Sequence, residues 1–215
     1  MKSRWLAPLV VAAMWAFALA TYPRLPDVVP THWNLRGEVD GTMPRWPGAF
    51  VLPLTATVML LLFRVLPYID PRRRNWEKFR DELHIVVSLL TLFFALVEGV
   101  SLGAALGWPV NASAAILGGI GLLFVGIGNY LPRIHSNWWM GIRTPWTLSS
   151  DRVWRDTHRV GGRAFVAGGL LCAAAALLPE AMRSWVAVSA LGAAALFSAA
   201  YSYFAWRRES RAREA

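Results

Sequence analysis

The chain is short of cysteine, of charge in general and of acids in particular, and each shortage excludes something. Cys172 is the only cysteine and lies in the apolar run GGLLCAAAALL. It can form no internal disulfide and has no metal-ligand spacing around it, which leaves the reading of a small packing residue. Charged residues are 16% of the 215 positions and hydrophobic ones 56%, with a mean hydropathy of +0.39. Soluble domains run at about 25% charged and 45–50% apolar, so this chain departs toward the membrane. Thirteen acids face 22 lysines and arginines, for a net charge of +9. Nucleic-acid binders share such a charge but do not carry repeated apolar runs of spanning length, so nucleic acid is set aside as a partner. H-E-x-x-H, G-x-S-x-G and Walker patterns are also missing, which argues against an enzyme and calls for no cofactor.

What the chain has is oily runs. A helix rises 1.5 Å per residue, so crossing about 30 Å of hydrocarbon takes roughly 20 residues. Six segments qualify: 5–22, 49–69, 83–106, 112–131, 164–178 and 185–206. The fifth is short and can start earlier, at the Gly161-Gly162 pair. These runs predict an all-α integral membrane protein of six transmembrane helices. Residues 1–69 would form a two-span region with a Pro-rich outer loop, and 70–215 a four-span region.

Orientation follows from lysine and arginine. Eighteen of the 22 fall before span one, near the end of span two (Arg64), between spans two and three, between spans four and five, or after span six, beginning with Lys2 and Arg4. The other side keeps Arg24, Arg36, Arg45 and Arg183. Both termini are therefore expected in the cytoplasm, with the arginines on the anionic inner leaflet of the membrane. Residues 1–20 also read as a signal peptide with an Ala18-Leu19-Ala20 cleavage-like site. The length of the apolar run favours an uncleaved anchor.

Between spans one and two, five prolines (Pro23, Pro26, Pro30, Pro44, Pro47) break any regular helix. The pattern predicts an ordered lid of turns and extended pieces, with turn signals at 34–37 and at Asp40-Gly41, and with Trp33 and Trp46 at the headgroup level. His32, Asn34, Gly37 and Asp40 are its candidate functional residues. His32, Glu38 and Asp40 do not match metal-ligand spacing, so His32 is read as a hydrogen-bonding residue and no metal is expected.

Glu98 is the one acid well inside a span. His84, Thr91 and Glu98 recur every seven residues, within about 40° of one helix face, over about 21 Å. Ser88 and Ser101 flank that face. Two readings stand: a proton or ion path ending at Glu98, or a protonated carboxyl bonding a neighbouring helix, with the hydroxyls as interhelical glue. Small residues on spans four to six (Gly118, Gly121, Gly128; Gly169, Ala173; Ser189, Ala193) predict close helix packing.

Four of the twelve tryptophans crowd into NWWMGIRTPWTLSSDRVWRDTH, starting at Asn137. Trp138, Trp139, Met140 and Trp146 are too apolar for a solvated loop and are expected at the membrane interface or beneath the bundle. From Ser149, read as an N-cap, Val153, Trp154, Thr157 and Val160 form an apolar arc opposite Arg152, Arg155 and Arg159. That pattern predicts a short amphipathic helix lying flat on the inner leaflet between spans four and five, within a cytoplasmic loop 132–162.

The run GNYLPRIHSNWWMGIRTPWTLSSDRVWRDTHRVGGRAF, residues 128–165, resembles the signature of the SdpI family of bacterial membrane immunity proteins. Its GN-x-(L/M)-P opening, N-x-x-x-G-I-R-T-P-W-T-L centre and V-W-x-x-T-H-R-x-G-G close are all present. LPDVVPTHWNLRGEVDG similarly resembles the uncharacterised domain that commonly precedes it. The resemblance implies a six-helix inner-membrane protein that resists a secreted, membrane-active peptide toxin and, with toxin present, holds a cytoplasmic transcriptional repressor at the membrane. By motif position it singles out Asn129, Pro132, Asn137, Gly141, Arg143, Thr144, Pro145, Trp146, Thr157, His158 and Arg159. The alternative from the residues themselves is a small ion- or proton-coupled transporter using Glu98.

Overall fold

The computed structural model describes residues 3–34 and 36–214. Lys2, counted with the basic residues, and Leu35, inside the expected 34–37 turn, lie outside the described residues. Helix α1 (Leu6–Thr21) leads through a 3-10 turn to strands β1 (Val28–Trp33) and β2 (Val39–Pro44), then to α2 (Arg45–Ile69). Short α3 (Arg73–Trp76) precedes α4 (Arg80–Ala105) and α5 (Ala112–Tyr130). The tryptophan stretch holds α6 (Pro145–Ser149), and α7 (Asp151–Ala175) and α8 (Glu180–Glu214) complete the chain. Among the described residues five helices, all but α7 of the long ones, are long and apolar enough to cross a membrane.

The lid is a β-hairpin, a refinement of the all-α expectation. Its turn is closed by Asn34, whose Oδ1 accepts the N–H groups of Arg36 (2.8 Å) and Glu38 (3.1 Å), while Gly37 supplies φ +77°. Asp40 and Gly41, expected to turn, lie within β2 opposite an irregular register at His32. Helix α2 starts inside the Pro-rich stretch, because a proline in the first helical turn removes an N–H that has no intrahelical partner anyway. Trp33 pairs with Val39 across the hairpin, and Trp46 is exposed in the first turn of α2.

Two three-helix groups make the bundle. Helices α1, α2 and α4 pack together, as do α5, α7 and α8, and α4 against α5 joins them. Thus α4 bridges the expected 1–69 and 70–215 regions. In the first group the indole N–H of Trp15 donates to Thr57 Oγ1 (3.0 Å), whose own hydroxyl donates to Pro53 O (2.7 Å), the carbonyl i−4 to it. The second group is tied by backbone contact. A Cβ on Gly162 would stand 2.7 Å from Gly128 O, and one on Gly169 would stand 2.6 Å from Gly121 O. The preceding glycines face the other way: a Cβ on Gly168 would meet Ala190 O and Ala194 Cβ at 3.0 Å, and one on Gly161 would overlap the Ile142 side chain of the loop and meet Ser198 Oγ at 3.1 Å. Two Gly-Gly pairs seven residues apart therefore let α7 approach α5 with one glycine and α8 with the other.

This overturns the flat interfacial helix. Helix α7 runs unbroken through Gly161 and Gly162, which serve contact instead of a turn. Ser150, not Ser149, caps it, accepting the Val153 N–H at 3.3 Å. Trp154, expected at the acyl boundary, is 1% exposed within the core formed with Phe79, Leu83, Leu131, Ile134 and Met140. The apolar arc that suggested lipid contact faces protein. The charged first half of α7 keeps it out of the five apolar helices. It nevertheless runs antiparallel to α5 and α8 along the bundle: Gly162 lies by Gly128, and farther on Cys172 Sγ donates to Leu117 O at 3.3 Å.

Substituting Gly169→Ala is expected to destabilise the protein by about 1–3 kcal/mol, since its methyl group overlaps α5 backbone. Gly192→Ala, at a site where nothing lies within 4 Å, is expected to be neutral or stabilising. Thermal unfolding of the two variants in detergent checks this contrast.

Candidate functional site

At the end of the bundle away from the hairpin, the residues after α2, the 131–150 loop, the start of α7 and the end of α8 meet. Irregular backbone near a membrane must find its hydrogen bonds inside the protein. Three side chains supply them here. Asn137 is fully buried: its Oδ1 accepts from Trp139 N–H (2.8 Å) and Met140 N–H (2.6 Å), and its amide donates to His135 O (3.0 Å) and Met140 O (3.1 Å). Asp70, 3% exposed, accepts at Oδ1 from Arg72 N–H (2.6 Å) and at Oδ2 from the indole N–H of Trp76 (2.9 Å) and Trp138 N–H (3.0 Å). Thr147 and Thr144 form a reciprocal capping box for α6, and Thr147 Oγ1 donates to Ile142 O at 2.8 Å.

His158 is the fourth tie. Its Nε2 accepts the Ile142 N–H at 3.0 Å, which places the proton on Nδ1, where it donates to Trp154 O at 2.8 Å. The ring stacks on Trp154 at a centroid distance of 4.0 Å, and the Trp154 indole N–H donates to Ile134 O at 2.8 Å. Gly141, at φ +106°, leaves the space His158 occupies: a Cβ there would overlap Nε2. Burial pulls the His158 pKa down to about 4, against the small upward effect of its bond to Trp154 O. This histidine is a neutral structural acceptor at physiological pH.

A polar margin surrounds this core. Arg72 donates to Leu148 O (2.7 Å), Ser136 Oγ donates to Asp151 Oδ1 (2.6 Å), and Asn75 donates to Ser136 O (2.8 Å). Thr144 and Ser202 Oγ atoms lie 2.9 Å apart, joining the loop to α8. Glu209 takes a hydrogen bond from Ser150 and a second from Arg213, which together hold its carboxyl below the ordinary value.

Of the residues the signature singles out, Asn137, Gly141, Thr144, Thr157 and His158 converge here. Pro145 starts α6, and Trp146 packs edge-on against Tyr203 of α8 at 5.1 Å. Arg143, exposed, donates to Trp138 O at 2.5 Å. Pro132 lies where a Cβ on Gly162 would meet its ring at 3.1 Å. Asn129 and Arg159 are exposed on the outer faces of α5 and α7, away from the interlock. Thr157 is fully buried with its hydroxyl unpartnered among the described residues. Asp70, Thr147 and Trp154 complete this interlock without being among the residues singled out; Thr147 and Trp154 stand within the quoted signature, and Asp70 lies outside it. The signal for Asp70 was a single acid ahead of three arginines in IDPRRR.

The other candidates stand apart. At the hairpin, His32 Nδ1 and Asp40 Oδ1 lie 2.5 Å apart on the exposed face, and the Asn34 amide donates to Glu38 at 2.9 Å. On α4, the hydroxyls of Ser88 and Thr91 donate to the carbonyls of His84 (2.7 Å) and Val87 (2.8 Å), so they bond their own helix and not each other. Ser101 instead clips the hairpin to α4 by donating to Pro30 O at 2.5 Å. Glu98 is 2% exposed, with Oε1 unpartnered among the described residues.

Fold and site together define a multi-pass α-helical membrane protein with a hairpin at one end and a hydrogen-bonded aromatic loop at the other. Within that class the chain resembles the SdpI family: residues 133–202 match the model of the SdpI/YfhL protein family, and residues 9–57 match a domain of unknown function, DUF1648. It is 24% identical over 174 residues, 80% of this chain and 81% of the relative, to the immunity protein SdpI of Bacillus subtilis (strain 168). No solved structure matches the chain.

Removing the Asp70 carboxylate leaves three donors, the buried Trp76 indole and the half-buried Arg72 and Trp138 amides, without this acceptor. Asp70→Ala is expected to cost about 1–3 kcal/mol for each group so stranded, read as a lowered unfolding midpoint in detergent. His158 imposes a pH dependence of known sign. Between pH 6.5 and about 4 the unfolded chain takes up a proton at this site that the folded chain refuses. Stability present above pH 6.5 is therefore lost as the pH falls through that window, by up to roughly 3 kcal/mol. Unfolding midpoints at pH 8, 6.5 and 5 should fall in that order, and His158→Gln should flatten the series.

Proposed function

We propose that this chain is an immunity and signalling protein of the bacterial cytoplasmic membrane, with six spans and both termini in the cytoplasm. In this reading it protects its host against a membrane-active peptide toxin that it meets at the hairpin end, and reports occupancy at the arginine-rich end. Similarity to an immunity protein along four-fifths of the chain carries the proposal. The architecture supports it. Helix α4 is one continuous rod clipped to the hairpin through Ser101 and Pro30, while its first turns contribute Leu83 to the core that holds Trp154 and Met140. The tryptophans Trp138 and Trp139 stay 45% and 44% exposed beside this hydrogen-bonded scaffold, so a partner at that face would meet two fixed indoles. A cytoplasmic repressor is the partner this reading assigns to them.

Expression in a toxin-sensitive bacterium is expected to raise survival against membrane-disrupting peptides, and Trp138→Ala/Trp139→Ala to remove reporting without loss of membrane insertion. Absence of protection across a panel of such peptides sinks the proposal. A second reading rests on Glu98, whose buried, unpartnered Oε1 suits a proton or cation carrier. It requires flux in proteoliposomes that Glu98→Gln abolishes; flux unchanged by that substitution removes it.

A further inference from the structure

We propose that the cleft between α2, α3 and α4 at the arginine-rich end binds one anionic glycerophospholipid, with the phosphate held by Arg64, Arg73, Arg74 and Arg80 and an acyl chain lying in the adjoining groove against α1. The inference is independent of toxin protection.

Two adjacent hollows carry the argument. The outer one, about 620 Å³, takes arginines from three elements: Arg64 from α2, Arg73 and Arg74 from α3, and Arg80 from the start of α4. Glu77 is the single acid in its lining. None of these four arginines forms an ion pair or side-chain hydrogen bond among the described residues, although Arg72 beside them is engaged with Leu148 and Asp151. Asp81 and Glu82 follow Arg80 on α4 but are not part of the lining. Four like charges held together without partners repel one another, so an anion there removes a cost as well as gaining charge-assisted hydrogen bonds. Tyr68, 79% exposed, stands at the mouth as an interfacial aromatic, and the buried ring of Trp76 backs the hollow.

The inner hollow, about 280 Å³, is lined mainly by apolar side chains: Ala7 and Pro8 of α1, Leu60 and Leu61 of α2, Leu83 and Val87 of α4. It shares Phe63, Arg64, Leu83 and His84 with the outer one, so the charged mouth opens directly into an oily groove. The groove is cut into helices of membrane-crossing length, and Leu61 in its wall is 59% exposed. A free phosphate uses only the mouth, and a neutral lipid only the groove. A molecule with both a phosphate and a hydrocarbon chain uses the whole of it, and basic pockets between helices at this depth suit acidic headgroups.

Native mass spectrometry of the full chain in detergent, with dioleoyl-phosphatidylglycerol or dioleoyl-phosphatidylcholine added, tests the site. Phosphatidylglycerol should be retained about tenfold over phosphatidylcholine, and the triple change Arg73→Gln/Arg74→Gln/Arg80→Gln should remove that preference. The control Arg207→Gln/Arg208→Gln/Arg211→Gln alters the same charge on α8 and should leave it intact. Leu61→Trp, which fills the groove, should weaken the dioleoyl lipid but not a dihexanoyl phosphatidylglycerol. Equal retention of both lipids, equal loss in the α8 control, no loss in the triple variant, or displacement of the lipid by millimolar inorganic phosphate would each overturn the assignment.

Discussion

The backbone contact of α7 with its two neighbours underlies everything at the arginine-rich end. In a membrane there is no solvent-driven core between helices, and association depends on how closely backbones approach. Gly162 and Gly169 admit α5, and Gly161 and Gly168 admit α8, so both the register and the rotation of α7 are set. Only at that rotation do Val153, Trp154, Thr157 and His158, one turn or two earlier on the same helix, face inward to meet the loop. A helix free to roll would carry His158 away from Gly141, and the loop would lose its anchor.

The loop then solves a problem of polarity. Seventeen residues of mostly irregular chain separate Leu131 from Ser149, with their amides and carbonyls beside an oily bundle. Asn137, Asp70, Thr147 and His158 bond several of those groups from side chains. The arrangement makes the backbone rigid where the outward side chains are aromatic. Rigid, half-exposed indoles lose little entropy when they meet a partner, which suits recognition better than catalysis. At the opposite end the hairpin is similarly rigid, closed by Asn34 and clipped to α4 by Ser101. One helix thus touches both ends, and that continuity gives the signalling reading its physical substance.

Much of this was legible in the residues, and the errors have physical causes. The apolar runs located the helices because burial in lipid demands length, and the prolines predicted an extended lid because they forbid an early helix. Period-3.6 patterning was read correctly on α7 but assigned to the wrong environment: an apolar arc facing lipid and one facing a protein core look the same. Ser149 and Ser150 are equivalent as caps on paper, and the loop geometry chose the second. The hydroxyls along α4 looked like a path, yet serine and threonine in a helix readily bond the carbonyl four residues back, and Ser88 and Thr91 do so.

Composition and order alone determined the membrane class, the basic end, the small-residue faces and the family likeness, because each depends on chemistry that is local in the chain. Only the tertiary structure decided what the glycine pairs contact, that Asp70 holds up a loop 68 residues away, and that four arginines from three elements share one hollow. Those facts depend on distances between segments far apart in sequence, and helical periodicity fixes a residue's face without saying which neighbour stands opposite it.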